Sequence, residues 1–147
     1  MALPEFNESG DLPPGIYVAS LETVLQRFGR SNLARQIVGK RLQRIYKLAR
    51  STNHLSRFVV FGSFVTNKEE PNDVDVVMVM EEAFDDSQLE QPVSLLFSHG
   101  TADAEFGASV FWVRRPVAFG GEQSMIEFWQ TKRDLTLRGI LEIRGES

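Results

Sequence analysis

Apolar and polar positions alternate along this chain with two periods, one helical and one of strand type. The segment "LETVLQRF" follows Ser20, a good N-cap, with Glu22 in its first turn. It predicts a short helix ending near Gly29. Ser31 is a second N-cap candidate, and the helix expected after it, residues 32–50, carries the longest periodic pattern in the chain. Ala34, Val38, Leu42, Ile45 and Ala49 share one face, while Lys40, Arg44 and Lys47 occupy the opposite one. Period-two or continuously apolar runs predict strands at 57–62 ("RFVVFG"), 73–80 ("DVDVVMVM"), 107–113 ("GASVFWV") and 139–143 ("GILEI"). A third helix is expected over "SQLEQPVSLLF", with Pro92 as a break or an early-turn residue, and a fourth over "SMIEFWQTK", capped by Ser124. The stretch "RRPVAFGGEQ" reads as a turn-rich connection. Pro4, Pro13, Pro14 and Gly15 exclude a helix from residues 1–17, which read as an extended arm ahead of a single mixed α+β domain, residues 18–147.

Composition narrows the chemistry. The chain has 147 residues, 42% hydrophobic and 24% charged, which suits one globular domain. It has no cysteine and only two histidines, His54 and His99, both at element ends and expected at the surface. Thiolate and histidine-rich metal sites are therefore excluded, and any metal would be held by oxygen ligands, favouring magnesium, manganese or calcium. No apolar run approaches a membrane span, and the acidic, Pro/Gly-rich start is unlike a signal peptide, so a cytoplasmic protein is expected. The net charge of −4 conceals an interval, from Glu22 to Glu69, with no acidic residue inside it. That interval holds Arg27, Arg30, Arg35, Lys40, Arg41, Arg44, Lys47, Arg50, Arg57 and Lys68. Such a segment is either a solvated helix face or a surface for an anionic partner. Nucleic acid is one such partner, but the stripe lacks the interleaved aromatics of single-strand binders.

The densest chemistry lies between two strands, in "FVVFGSFVTNKEEPNDVDVVMVM". Asp73 and Asp75, two apart in a strand, project to the same side while Val74 and Val76 turn to the core. Adjacent carboxylates repel unless a proton or cation lies between them, and a divalent ion is the simplest compensator. Gly62 permits close approach to the backbone, and a helical turn starting at Ser63 would offer free N–H groups and a hydroxyl to a phosphate. Lys68, Glu69 and Glu70 in the spacer are expected to face solvent. Arg114 and Arg115, at the end of the third strand, are secondary candidates for nucleotide or partner contacts.

This order of strand, Gly-Ser, spacer and Asp-x-Asp resembles the nucleotidyltransferase fold of DNA polymerase beta, the aminoglycoside nucleotidyltransferases and the minimal nucleotidyltransferases of bacterial toxin–antitoxin pairs. The core resemblance spans residues 56–113. The segments "LPPGIYVASLETVLQRFG" and "FWQTKRDLTLRGILEI" resemble an uncharacterised bacterial and phage subgroup of that fold. The resemblance implies a small mixed sheet flanked by helices. Gly62 and Ser63 would bind the triphosphate, and Asp73 and Asp75 would be catalytic ligands of Mg2+ or Mn2+. A nucleoside monophosphate, with AMP the expected group, would pass from a nucleoside triphosphate to a hydroxyl acceptor. A partner protein encoded nearby is a further expectation from the toxin–antitoxin members. Many members carry a third carboxylate on a later strand. Here the matching position is Ser109 or its neighbour Ala108, and the nearest acids are Asp103 and Glu105. A serine is a poor magnesium ligand and no base. The alternative is thus a catalytically degenerate module that binds a nucleotide or partner.

Overall fold

The computed structural model describes residues 3–115, 122–132 and 134–145. Its five strands are β1 (Gly15–Ala19), β2 (Leu55–Phe61), β3 (Asp75–Met80), β4 (Ser109–Arg114) and β5 (Gly139–Ile143). Its four α-helices are α1 (Leu21–Phe28), α2 (Leu33–Ser51), α3 (His99–Phe106) and α4 (Glu122–Gln130). The fold is mixed α+β, with one five-stranded mixed sheet in the order β1-β5-β2-β3-β4. β2 is antiparallel to both β3 and β5, while β1–β5 and β3–β4 pair in parallel.

Each face of the sheet has its own core. Val24 and Phe28 of α1, with Val38, Leu42 and Ile45 of α2, pack on Phe58, Val60, Val76 and Met78 in the larger cluster. On the opposite face Val59, Phe61, Val77, Val79 and Ile140 form a smaller cluster, against which Phe111 and Trp129 pack. The period-two alternation of β3 decides this division. Val76, Met78 and Met80 serve one core and Val77 and Val79 the other, so the whole run from Val76 is buried.

Several boundaries differ from the sequence expectation. α2 is capped by Asn32 rather than Ser31, because the Asn32 Oδ1 accepts from the Arg35 N–H at 2.9 Å. The helix expected over 87–97 is two 3-10 turns, Asp86–Gln88 and Val93–Phe97, on either side of Pro92. The Asp85 carboxylate holds the first turn by accepting from the Ser87 N–H, and a proline with no N–H cannot carry an α-helical ladder between them. The α-helix of this region, α3, comes later and closes on Gly107 in the left-handed conformation (φ 63°). Only Ala102 and Phe106 of α3 are buried, so it offers no apolar stripe to read. α4 begins at Glu122, which places Ser124 inside the helix rather than at its cap. Most of the expected turn-rich connection, residues 116–121, lies outside the described residues. The expected arm-to-domain boundary at residue 17 falls within β1, and Leu12 and Asp11 ahead of it are buried.

Candidate functional site

One end of the sheet gathers the residues that the sequence singled out. In register, Asp75 opens β3 opposite Phe61, the last residue of β2, and beside Ser109, the first residue of β4. The β2–β5 register, with Val60 opposite Leu141, carries the N-terminal end of β5 to this same edge. Val74 is fully buried in the larger core and Asp75 precedes Val77 of the smaller one. Asp73 and Asp75 therefore project on the α4 side of the sheet, both half-buried.

Gly62 has φ 84°, a conformation that side chains other than glycine rarely adopt, and a 3-10 turn, Ser63–Val65, follows it. A Cβ built on Gly62 would lie 1.9 Å from Asp75 Oδ2. The carboxylate thus occupies the space that any other residue would fill, and it rests against the backbone where β2 ends. Among the described residues, the Ser63 and Phe64 N–H groups and the Ser63 hydroxyl have no protein acceptor. The Val65 and Thr66 N–H groups turn back onto Gly62 and Ser63 carbonyls. The open donors therefore sit next to the carboxylates.

The loop is held from two sides. Arg35, 5% exposed, donates to the carbonyls of Phe28 (3.0 Å), Phe64 (2.8 Å), Thr66 (2.7 Å) and Lys68. The Asn32 side chain donates to the Glu69 carbonyl, and from the other side the Asn67 N–H donates to Gly10 and Asp11 bridges Thr66. The spacer residues Lys68, Glu69 and Glu70 are exposed, as expected.

The electrostatics of the carboxylate pair are asymmetric. Burial, followed by the neighbouring Asp73 carboxylate, pushes Asp75 up to about 6. Arg138 and the Ser109 hydroxyl, which donates to Asp75, pull it down. Neither aspartate forms an ion pair with a described cation. Two neighbouring carboxylates that form no ion pair with a described cation suit a hard divalent ion. Magnesium commonly takes one or two carboxylates and fills its other positions with water and phosphate oxygens. No group of three or more acidic or imidazole side chains converges among the described residues.

Of the two positions weighed for a third acid, Ala108 is fully buried in the larger core, so only Ser109 faces the site. Asp103 and Glu105 lie on α3, exposed, ahead of the strand. Glu105 pairs with Arg44 at 3.2 Å. Arg114 and Arg115 end β4 beside Met80, at the opposite end of the sheet from Asp75. There Arg114 binds Asp86 at 2.7 Å and Arg115 donates to Met80 and Ser56. They therefore do not share the edge that brings Gly62 and Asp75 together. Much of the basic interval is also engaged within the chain. Arg27 binds Pro4, Arg41 binds Gly107, Arg50 binds Gly145 and Arg57 binds the buried Glu142. A cavity of about 560 Å³, lined by Phe6, Arg27, Arg35 and Thr66, lies behind the Gly62–Glu70 loop. Its two arginines are occupied with backbone carbonyls.

The residue that sequence reasoning passed over is Arg138. It immediately precedes β5, and its Nε is the one buried side-chain polar atom without a hydrogen-bond partner among the described residues. Its position beside Asp75 depends on β5 inserting between β1 and β2, a long-range fact that no local pattern carries.

Fold and site together define a mixed α+β domain with an acidic pair cradled against a glycine turn at one sheet end. The chain belongs to the family of unknown function DUF6932, whose model matches residues 4–144. No curated protein and no solved structure matches it. No helix among the described residues is long and apolar enough to cross a membrane.

Proposed function

We propose that this chain binds a nucleoside triphosphate with magnesium or manganese at the Gly62–Asp75 edge. We further propose that it transfers the nucleoside monophosphate, AMP as the first candidate, to a hydroxyl acceptor. The observation that carries the reading is the fit of the Asp75 carboxylate against Gly62, with Asp73 on the same face and the open Ser63 donors alongside. This supports the resemblance to nucleotidyltransferases at the level of geometry as well as residue order. Asp73 and Asp75 would hold the metal, and the Ser63 N–H and hydroxyl would orient the polyphosphate. Bound there, the divalent ion would supply charge neutralisation at the reacting phosphorus and the leaving pyrophosphate. In the transfer, the acceptor oxygen forms a bond to the α-phosphorus as the bond to pyrophosphate breaks, and the hydroxyl proton passes to solvent. A partner protein is among the candidate acceptors.

A second reading is favoured by Ser109. A hydroxyl stands where the resembling enzymes carry an acid, and no other acid among the described residues joins the pair. Loss of a general base costs about 10² to 10⁴ in rate. The second reading is therefore nucleotide binding with transfer absent. Incubation with labelled ATP, GTP, CTP and UTP plus magnesium, with and without candidate acceptors, separates the two. Transfer or pyrophosphate release that disappears in Asp73→Ala and Asp75→Ala supports the first reading. Metal-dependent binding without transfer supports the second, and no metal-dependent binding contradicts both.

A further inference from the structure

We propose that Arg138 is a phosphate-binding residue of the candidate site, the cation that receives the polyphosphate of the bound nucleotide. The inference rests on the reading above and deepens it by assigning a ligand group to a residue outside the Gly-Ser and Asp-x-Asp segments.

Three observations carry it. The first is position. Arg138 lies two residues before Ile140, whose side chain belongs to the α4-side cluster, and the N-terminal end of β5, which Arg138 precedes, lies beside the Gly62 end of the antiparallel β2. Its charge is felt by Asp75. The second is lack of partners. The Arg138 N–H groups donate to no described side chain or carbonyl, and its buried Nε is unsatisfied, whereas the backbone N–H of Arg138 is fixed on the Gln130 carbonyl. A buried guanidinium nitrogen without an acceptor costs stability, and such atoms are rare in folded proteins. The other arginines near the loop, Arg27 and Arg35, are both engaged with carbonyls.

The third is charge. A carboxylate at position 109 would stand beside Asp75 and offer Arg138 another acid to pair with. Ser109 adds no charge there, so Arg138 acts on the Asp75 carboxylate through space without an ion pair to it or to any other described acid. With a divalent ion on the two aspartates, Arg138 makes the site net positive, as a polyphosphate requires. A guanidinium fork binds phosphate oxygens in pairs, which fits an anion that spans from the Ser63 turn toward β5.

A structural arginine and a ligand arginine respond differently to replacement. Arg138→Gln is expected to leave the melting temperature of the free protein within about 3 °C, since it removes both an unsatisfied buried donor and the charge that favours ionised Asp75. It is expected to weaken binding of magnesium–ATP and of inorganic tripolyphosphate, measured calorimetrically, by about tenfold or more, with magnesium dependence retained. Arg138→Lys should recover part of the loss. A melting temperature lowered by more than about 5 °C in Arg138→Gln would mark a structural residue and overturn the inference, as would binding within about twofold of the unsubstituted protein. Equal losses in the Lys and Gln variants would overturn it as well. If the unsubstituted chain binds neither probe, the nucleotide reading itself falls and the inference with it. If it binds both in a manner abolished by Asp73→Asn but untouched by Arg138→Gln, this inference alone fails.

Discussion

Asp75 and Gly62 make a site out of a turn. The carboxylate fits where it does only because position 62 has no Cβ, and half-burial beside Asp73 makes its ionisation costly. Both members were legible in the sequence, because a two-residue period and a Gly-Ser after a strand are local signals. Arg138 was not, since its proximity to Asp75 depends on strands distant in sequence. Asp75 links pH to stability in a definite direction. Its folded value of about 6 exceeds its ordinary value of 3.8, so the folded state holds the proton more tightly than the unfolded chain. The ionised carboxylate therefore costs stability above about pH 6, and the cost fades as pH falls from 6 toward 4. In chelator, Asp75→Asn should be more stable than the unsubstituted protein near neutral pH. The gain is about 1 to 2 kcal/mol, discounted for partial exposure, or roughly 3 to 6 °C in melting temperature. It should shrink toward zero near pH 4. Thermal melts across that range check it, and a gain independent of pH would contradict the assignment.

At the scale of elements, the site depends on the loop that follows β2 being held. Arg35, in the first turn of α2, ties that loop to the end of α1 through four carbonyls, and burial lowers its pKa. The sequence placed Arg35 in a basic interval with a possible anionic partner, because charge along a helix says nothing about which carbonyls fold back onto it. Removing the guanidinium strands several buried acceptors at once. Arg35→Ala is expected to destabilise by about 3 kcal/mol or more, read by denaturant melts, and to lower amide-exchange protection in residues 64–69. A loss below about 1 kcal/mol would contradict the clamp. The long periodic elements, α1, α2 and the strands, were readable because each buries one continuous face. The region from Asp86 to Phe106 was not. Its 3-10 turns are set by Pro92 and a local Asp85 contact, and α3 buries too few residues to show a period.

At the scale of the molecule, the N-terminal segment and the end of the chain converge on the same edge. The Leu12 carbonyl accepts from Gly139, the Gly15 N–H donates to the Gln130 side chain, and Lys132 pairs with the buried Asp11 at 2.7 Å. Pro13 and Pro14 correctly excluded a helix there. They could not reveal that the chain next forms β1 beside β5, because that parallel pairing joins opposite ends of the sequence. The result is an edge that gathers Gly62, Ser63, Asp73, Asp75, Ser109 and Arg138 from three separate parts of the sequence. The central claim, that Asp73 and Asp75 hold a divalent ion for a nucleotide, is tested most directly by electron paramagnetic resonance of Mn2+ titrated into the protein with ATP. A single bound Mn2+ is predicted, retained near neutral pH, weakened below about pH 6 and lost in Asp73→Asn and Asp75→Asn. Absence of bound Mn2+ in the unsubstituted chain, or binding unchanged in both variants, would contradict it.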